Sequence, residues 1–135
     1  MSIHPAAIVD PKSEIDSSAE IGPYVVIEGQ VKIKRGTRVM AHAYLTGCTE
    51  IGEDNEIHPG AVLGGAPQDV AYKGQETYLR IGNNNIIREH VQIHRGTAAG
   101  SSTLIGDNNF LMVSGTTPSR HNDCKRFLTG SNALA

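Results

Sequence analysis

Aliphatic residues recur at every sixth position from the start of the chain: Ile3, Val9, Ile15, Ile21, Ile27, Ile33, Val39, Leu45, Ile51, Ile57 and Leu63. The same count resumes at Ile81, Ile87, Ile93, Ile105 and Leu111. An amphipathic helix needs apolar spacings of three and four, which this pattern does not supply, so it predicts short strands. A small or slim residue usually stands two before the aliphatic, as at Ala19, Val25, Val31, Thr37, Ala43, Thr49 and Ala61. Residues i and i+2 share one face of a strand, so both positions point inward. Gly22, Gly52, Gly82 and Gly106 follow the aliphatic, and Asn recurs in Asp54-Asn55, Asn83-Asn84-Asn85 and Asp107-Asn108-Asn109. These types tolerate the tight or left-handed backbone that a corner every six residues requires. Hexads joined by such corners, about three to a turn, make a triangular parallel β-helix whose coils bury their inner faces by stacking on one another. A chain of 135 residues allows about seven coils in one all-β domain.

The repeat breaks twice, and the breaks are the candidate functional loops. Residues 64–80, Gly64-Gly65-Ala66-Pro67-Gln68-Asp69 through Thr77, lose the aliphatic count and carry turn formers. Residues 95–104 are rich in Gly, Ser and Thr. A long excursion from a compact repeat is more often functional than idle, the lesser reading from polar composition being a solvated loop. Between the breaks, Val91 and Ile93 point inward, so the polar residues around them, His90, Gln92 and His94 among them, face a neighbour or solvent.

Composition narrows the partners. The formal charge of −2, from 12 Lys+Arg against 14 Asp+Glu, offers no basic field for a nucleic acid or an anionic membrane surface. No apolar run approaches the roughly 20 residues that span a bilayer. Two cysteines, Cys48 and Cys124, and an opening without a charged n-region and apolar h-region fit a reducing cytoplasm rather than a disulfide scaffold or secretion. With 4% aromatic residues and no Trp, the core must be aliphatic.

Three motifs carry a more specific resemblance. They are the opening Ile3-His4-Pro5-Ala6-Ala7-Ile8-Val9, the loop Gln68-Asp69-x-x-Tyr72-x-Gly74-x-x-Thr77, and Ile86-Ile87-Arg88-Glu89 leading to Ile93-His94-Arg95-Gly96-Thr97. Together they resemble the acyl carrier protein–UDP-N-acetylglucosamine O-acyltransferases, which begin lipid A synthesis, over residues 1 to about 113. The resemblance implies a left-handed coil, which periodicity does not fix and which departs from the usual right-handed crossover. It implies a homotrimer with active sites in clefts between subunits. It also implies transfer of a 3-hydroxyacyl group from an acyl carrier protein thioester to the sugar 3-hydroxyl, with no cofactor and no metal. Gln68, Asp69 and His94 match family positions that contact the nucleotide sugar. Ala71 stands where the family usually has Lys.

The resemblance fails after Val113. There the family continues with Asn-Ala-His-Ile-Ala-His-Asp-Cys, whose second histidine is the catalytic base, whereas this chain has Thr116 and Ser119 at the aligned places. His121, followed by Asn122-Asp123-Cys124, is a displaced candidate for that base. The repeat phase reports the same fault, since Leu128 and Leu134 lie one residue off the count. The expectation is a partial or disrupted gene product, with a reading-frame slip over about 114–122 and without the family's remaining coils and C-terminal helical domain. Sequencing the gene tests it, and a clean, longer in-frame gene would refute it. Two other readings stay open: an inactive or trimerising β-helix module, and another hexapeptide enzyme, either a sugar N-acyltransferase or a zinc hydratase. His90 and His94 would lie about 13 Å apart on one strand, which argues against a shared zinc. His4 and His58 merely share a face.

Overall fold

The structure, a computed structural model, describes residues 2–68 and 70–113. Among these residues sixteen strands run coil by coil. The first coil holds β1 (Ser2–Ile3), β2 (Ile8–Val9) and β3 (Glu14–Ile15). The second holds β4 (Glu20–Ile21), β5 (Val26–Ile27) and β6 (Gln30–Ile33), and the third β7 (Arg38–Val39), β8 (Tyr44–Leu45) and β9 (Cys48–Ile51). The fourth holds β10 (Glu56–Ile57), β11 (Val62–Gly65) and β12 (Tyr78–Ile81), and the fifth β13 (Ile86–Ile87), β14 (Gln92–His94) and β15 (Ser102–Ile105). Strand β16 (Phe110–Leu111) opens a sixth. The rest of the seven expected coils would fall on 114–135, outside the described residues.

Every third strand stacks in parallel on the one below, giving three sheets that form the faces of a triangular, left-handed prism: β1-β4-β7-β10-β13-β16, β2-β5-β8-β11-β14 and β3-β6-β9-β12-β15. Below the first excursion, stacked positions are three hexads apart, with Ile3 beside Ile21 and Ile27 beside Leu45. Across the first excursion Ile57 pairs with Ile87, a step longer by two hexads. Across the second, Ile81 pairs with Ile105, a step longer by one hexad. Both insertions are whole hexads, which is why the count of six survives them in phase.

The core is the predicted stack. Ile21, Ile27, Ile33, Val39, Leu45, Ile51, Ile57, Leu63, Ile81, Ile87, Ile93, Ile105 and Leu111 are buried, together with Ala19, Val25, Val31, Ala43, Ala61, Leu79 and Val91 two places before an aliphatic. Each buried aliphatic side chain removes enough apolar surface from water to contribute about 1.5–3 kcal/mol. Ile3, in the first described strand, is exposed.

One corner carries a feature the composition does not announce. Thr37, Asn55, Asn85 and Asn109 occupy the inner position two before the aliphatic, which Ala19 fills one coil lower, and all four are buried. The Thr37 hydroxyl accepts from the Asn55 N–H at 3.2 Å, the Asn55 side-chain carbonyl from the Asn85 N–H at 2.8 Å, and the Asn85 carbonyl from the Asn109 N–H at 2.8 Å. The Asn55 and Asn85 amide groups donate to the Gly82 and Gly106 carbonyls, each at 2.8 Å. The backbone angles sharpen the reading of the glycines. Gly52 and Gly82 do not adopt left-handed backbone; a Cβ on Gly82 would collide with the Gly106 carbonyl and with Asp107. They are small because the coils approach closely there. The left-handed residues at this corner lie two places further along, at Gly36, Asp54, Asn84 and Asn108.

Candidate functional site

Both excursions leave the prism at the same corner, after β11 and β14, and rejoin it at β12 and β15. They occupy 66–77 and 95–101, inside the stretches 64–80 and 95–104 that the repeat count marks, because Leu79 and Thr103 already point inward as parts of strands. In the coils below, this corner is a tight turn through Gly29 and Gly47, both with positive φ. At the fourth coil a bulge replaces the turn: Leu63 pairs with Ile93, but His94 pairs with Gly65, so Gly64 is the extra residue. Its φ is 82°. A Cβ on Gly64 would strike the Thr46 carbonyl and the Thr49 hydroxyl, so glycine is required there both for backbone and for space.

The bulge turns the Gly64 and Gly65 carbonyls toward the coil above, where Arg95 takes both. Its backbone N–H donates to the Gly65 carbonyl at 3.0 Å and its Nη1 to the Gly64 carbonyl at 2.8 Å. Nε and Nη2 of the same guanidinium donate to the Tyr72 hydroxyl at 3.3 and 3.1 Å, and the guanidinium lies 5.6 Å from the centre of the Tyr72 ring. The Tyr72 hydroxyl in turn donates to the Gln75 carbonyl at 3.0 Å. The Gln75 side-chain amide donates to the Thr97 carbonyl, and the N–H groups of Gly96 and Gly100 donate to the Tyr78 and Glu76 carbonyls. The two loops are therefore one braced unit.

His94 closes β14 immediately before Arg95 and is half-buried. Burial holds its imidazole below the ordinary histidine value, so at neutral pH it is uncharged and can offer one N–H donor and one acceptor. Gln68 is exposed in the first excursion, three residues past the Gly65 that pairs with His94. Asp69 and His121 lie outside the described residues. His42 and His90 sit at corner positions with positive φ, and the His42 ring stacks on Tyr24 at 5.1 Å. Cys48 opens β9, half-buried, its thiol 3.9 Å from both Gln30 and Glu76. Among the described residues no three His, Cys, Asp or Glu side chains gather as a metal would require, and no helix is long and apolar enough to cross a membrane.

Sequence reading did not assign roles to Gly64, Arg95 and Tyr72, although the last two stood in the quoted motifs. A double glycine at the last in-phase aliphatic was the available signal for the bulge.

Fold and repeat together define a hexapeptide-repeat β-helix. The description "bacterial transferase hexapeptide (six repeats)" matches residues 30–65. The acyl-[acyl-carrier-protein]–UDP-N-acetylglucosamine O-acyltransferase of Thermodesulfovibrio yellowstonii is 52% identical over 112 residues, covering 82% of this chain and 43% of the relative. A crystal structure of the UDP-N-acetylglucosamine O-acyltransferase of Moraxella catarrhalis superposes with a TM-score of 0.81 at 43% identity, over 84% of this chain and 45% of that one. The Francisella novicida UDP-N-acetylglucosamine acyltransferase does so with a TM-score of 0.78 at 41% identity, over 82% and 41%. Over the matched stretch, the chain is similar in sequence and fold to UDP-N-acetylglucosamine O-acyltransferases. It spans less than half the length of these relatives.

Proposed function

We propose that this scaffold binds UDP-N-acetylglucosamine through Gln68, Asp69 and His94 and transfers to it a 3-hydroxyacyl group from acyl carrier protein, the opening step of lipid A synthesis. The observation that carries the reading is the braced excursion that sets Gln68 within three residues of the Gly65 paired with His94, in a chain 52% identical to an enzyme bearing that name. The sugar 3-hydroxyl oxygen attacks the thioester carbonyl while a base takes its proton; the tetrahedral oxyanion collapses, expelling the carrier-protein thiolate, and the proton returns to sulfur. One ester bond forms and one thioester bond breaks. A histidine titrating near neutrality suits the proton transfer, and His121 is our assignment for it. A neutral His94 suits a hydrogen-bonding contact to the uncharged part of the sugar nucleotide.

The working form in this reading is a cytoplasmic homotrimer. The outward column of the second sheet, Ile8, Val26, Tyr44 and Val62, is apolar for four coils and supports association of copies. Sedimentation at micromolar concentration checks it, with three times 14.4 kDa expected.

The test of function is ester formation from UDP-N-acetylglucosamine and 3-hydroxyacyl carrier protein, with His121→Ala beside the parent. Product from the parent and none from the variant supports the reading; equal product from both removes His121 as the base. A second reading is favoured by Thr116 and Ser119 at the places of the family's histidines: a nucleotide-sugar-binding module without turnover. It predicts saturable binding of UDP-N-acetylglucosamine and no ester. Neither binding nor product sinks both.

A further inference from the structure

We infer that Arg95 is a positioning residue, working with Tyr72 to hold the first excursion, and Gln68 with it, in the place where the nucleotide sugar is gripped. The inference rests on the proposed nucleotide-sugar site, and it concerns residues that site does not include.

Three observations carry it. First, Arg95 spends its guanidinium on the loop and its exit rather than on solvent: Nη1 on the Gly64 carbonyl, Nε and Nη2 on the Tyr72 hydroxyl. Donors spread over three nitrogens in one rigid plane are what a guanidinium can offer and a single-centred ammonium cannot. Second, the surroundings are cut to admit it. Gly47, in the coil below and at positive φ like Gly29, would place a Cβ 2.8 Å from Nη1, so the lack of a side chain there leaves room for the guanidinium. Third, the bonds join sequence-distant pieces, residues 64, 65 and 72 to residue 95, and Arg95 follows His94 directly. One side chain thus fixes the loop that carries Gln68 to the strand end that carries His94. The rest of the excursion has no stacked aliphatic to hold it, since Ala66, Gln68, Val70 and Ala71 are exposed.

A loop fixed beforehand spares a ligand the ordering cost of fixing it, so loosening the clamp should weaken binding without unfolding the prism. The experiment uses the whole chain and three variants: Tyr72→Phe, which keeps the ring but removes the hydroxyl; Arg95→Lys, which keeps the charge but removes the fork; and the double variant. Affinity for UDP-N-acetylglucosamine is measured by calorimetry, and amide hydrogen exchange is followed over 66–77 and over strands β4 to β10. Each single variant should raise Kd about tenfold, the scale of a charge-assisted contact, and the double variant should lose little more, because both act through the same fork. Exchange over 66–77 should accelerate while the strands stay protected. Unchanged affinity in both single variants, or strictly multiplicative losses in the double, overturns the positioning role. If the parent binds no UDP-N-acetylglucosamine, the proposed function falls, and exchange alone decides the clamp: acceleration over 66–77 upholds it and an unchanged loop overturns it.

Discussion

The three lower coils and the two above them are built from one repeat but held by different forces. In the lower coils each hexad begins and ends on the prism, stacked positions stay three hexads apart, and buried aliphatics lie directly over one another. In the upper coils two segments, one of them two hexads longer than a plain step and the other one hexad longer, leave at a single corner. What leaves is fixed by a guanidinium, a tyrosine hydroxyl and backbone carbonyls. The other two corners continue unaltered through the upper coils: the Asn ladder runs up one, and the positive-φ positions Tyr24, His42, Gly60 and His90 mark the other. The solenoid tolerates an insertion because insertion at one corner leaves the stack of the other faces in register. Stability then resides mainly in the stack and loop position mainly in the brace, so the two can be broken separately.

The largest effect should come from the stack. Leu45 is fully buried between Ile27 below and Leu63 above, so Leu45→Ala should lower unfolding free energy by about 2–5 kcal/mol, read by urea denaturation. If its loss instead left global stability intact and freed only residues 66–77, the division between stack and brace would be wrong. Next comes the hinge between the two regions. Gly64→Ala puts a side chain at φ 82° against Thr46 and Thr49 and should cost about 1–3 kcal/mol. Gly74, also at positive φ, has no atom within 4 Å of a would-be Cβ, so Gly74→Ala should cost less. Equal costs at the two glycines would mean that crowding at the bulge is unimportant. Asn85→Ala should cost about 1–3 kcal/mol, since it strands the Asn109 N–H and the Gly106 carbonyl in a buried corner. That loss should appear as increased exchange at β13 and β16, on both sides of the ladder rung, with the braced loops little changed.

How much of this was legible in the sequence follows from which forces act where. The aliphatic stack was readable because burial of a strand face imposes a period on residue type, and the buried Ala, Val and Thr two places before it obeyed the same period. The ladder was hidden because Asn also serves at exposed corners: in Asn83-Asn84-Asn85 the middle residue takes the positive φ and the last points inward, and composition does not separate them. The brace was hidden for a different reason. Arg95 and Tyr72 are far apart in the chain and meet only because the first excursion is looped out at the corner that Arg95 faces, a contact set by three-dimensional closure rather than by spacing. Handedness, too, came from family likeness and not from the period.

The smallest predicted effect tests whether His94 belongs electrostatically to the braced region. Its imidazole is held below the ordinary value by burial alone, so protonation is disfavoured in the folded state relative to the unfolded one. The linkage then has a definite sign. Above the unfolded histidine value, about 6.5, both states are neutral and nothing is lost; as pH falls through that value the unfolded chain takes up a proton first, and stability declines until the folded imidazole titrates as well. Because the side chain is only half-buried, water screens the penalty and the decline is shallow. His94→Gln should remove that part of the decline between about pH 7 and about pH 5.5, a window above the carboxylate range. Thermal unfolding at the two pH values measures the difference, and exchange over 66–77 locates it. Parallel pH profiles for the parent and His94→Gln would show that the imidazole is solvated like any surface histidine, and would detach it from the dry side of the brace.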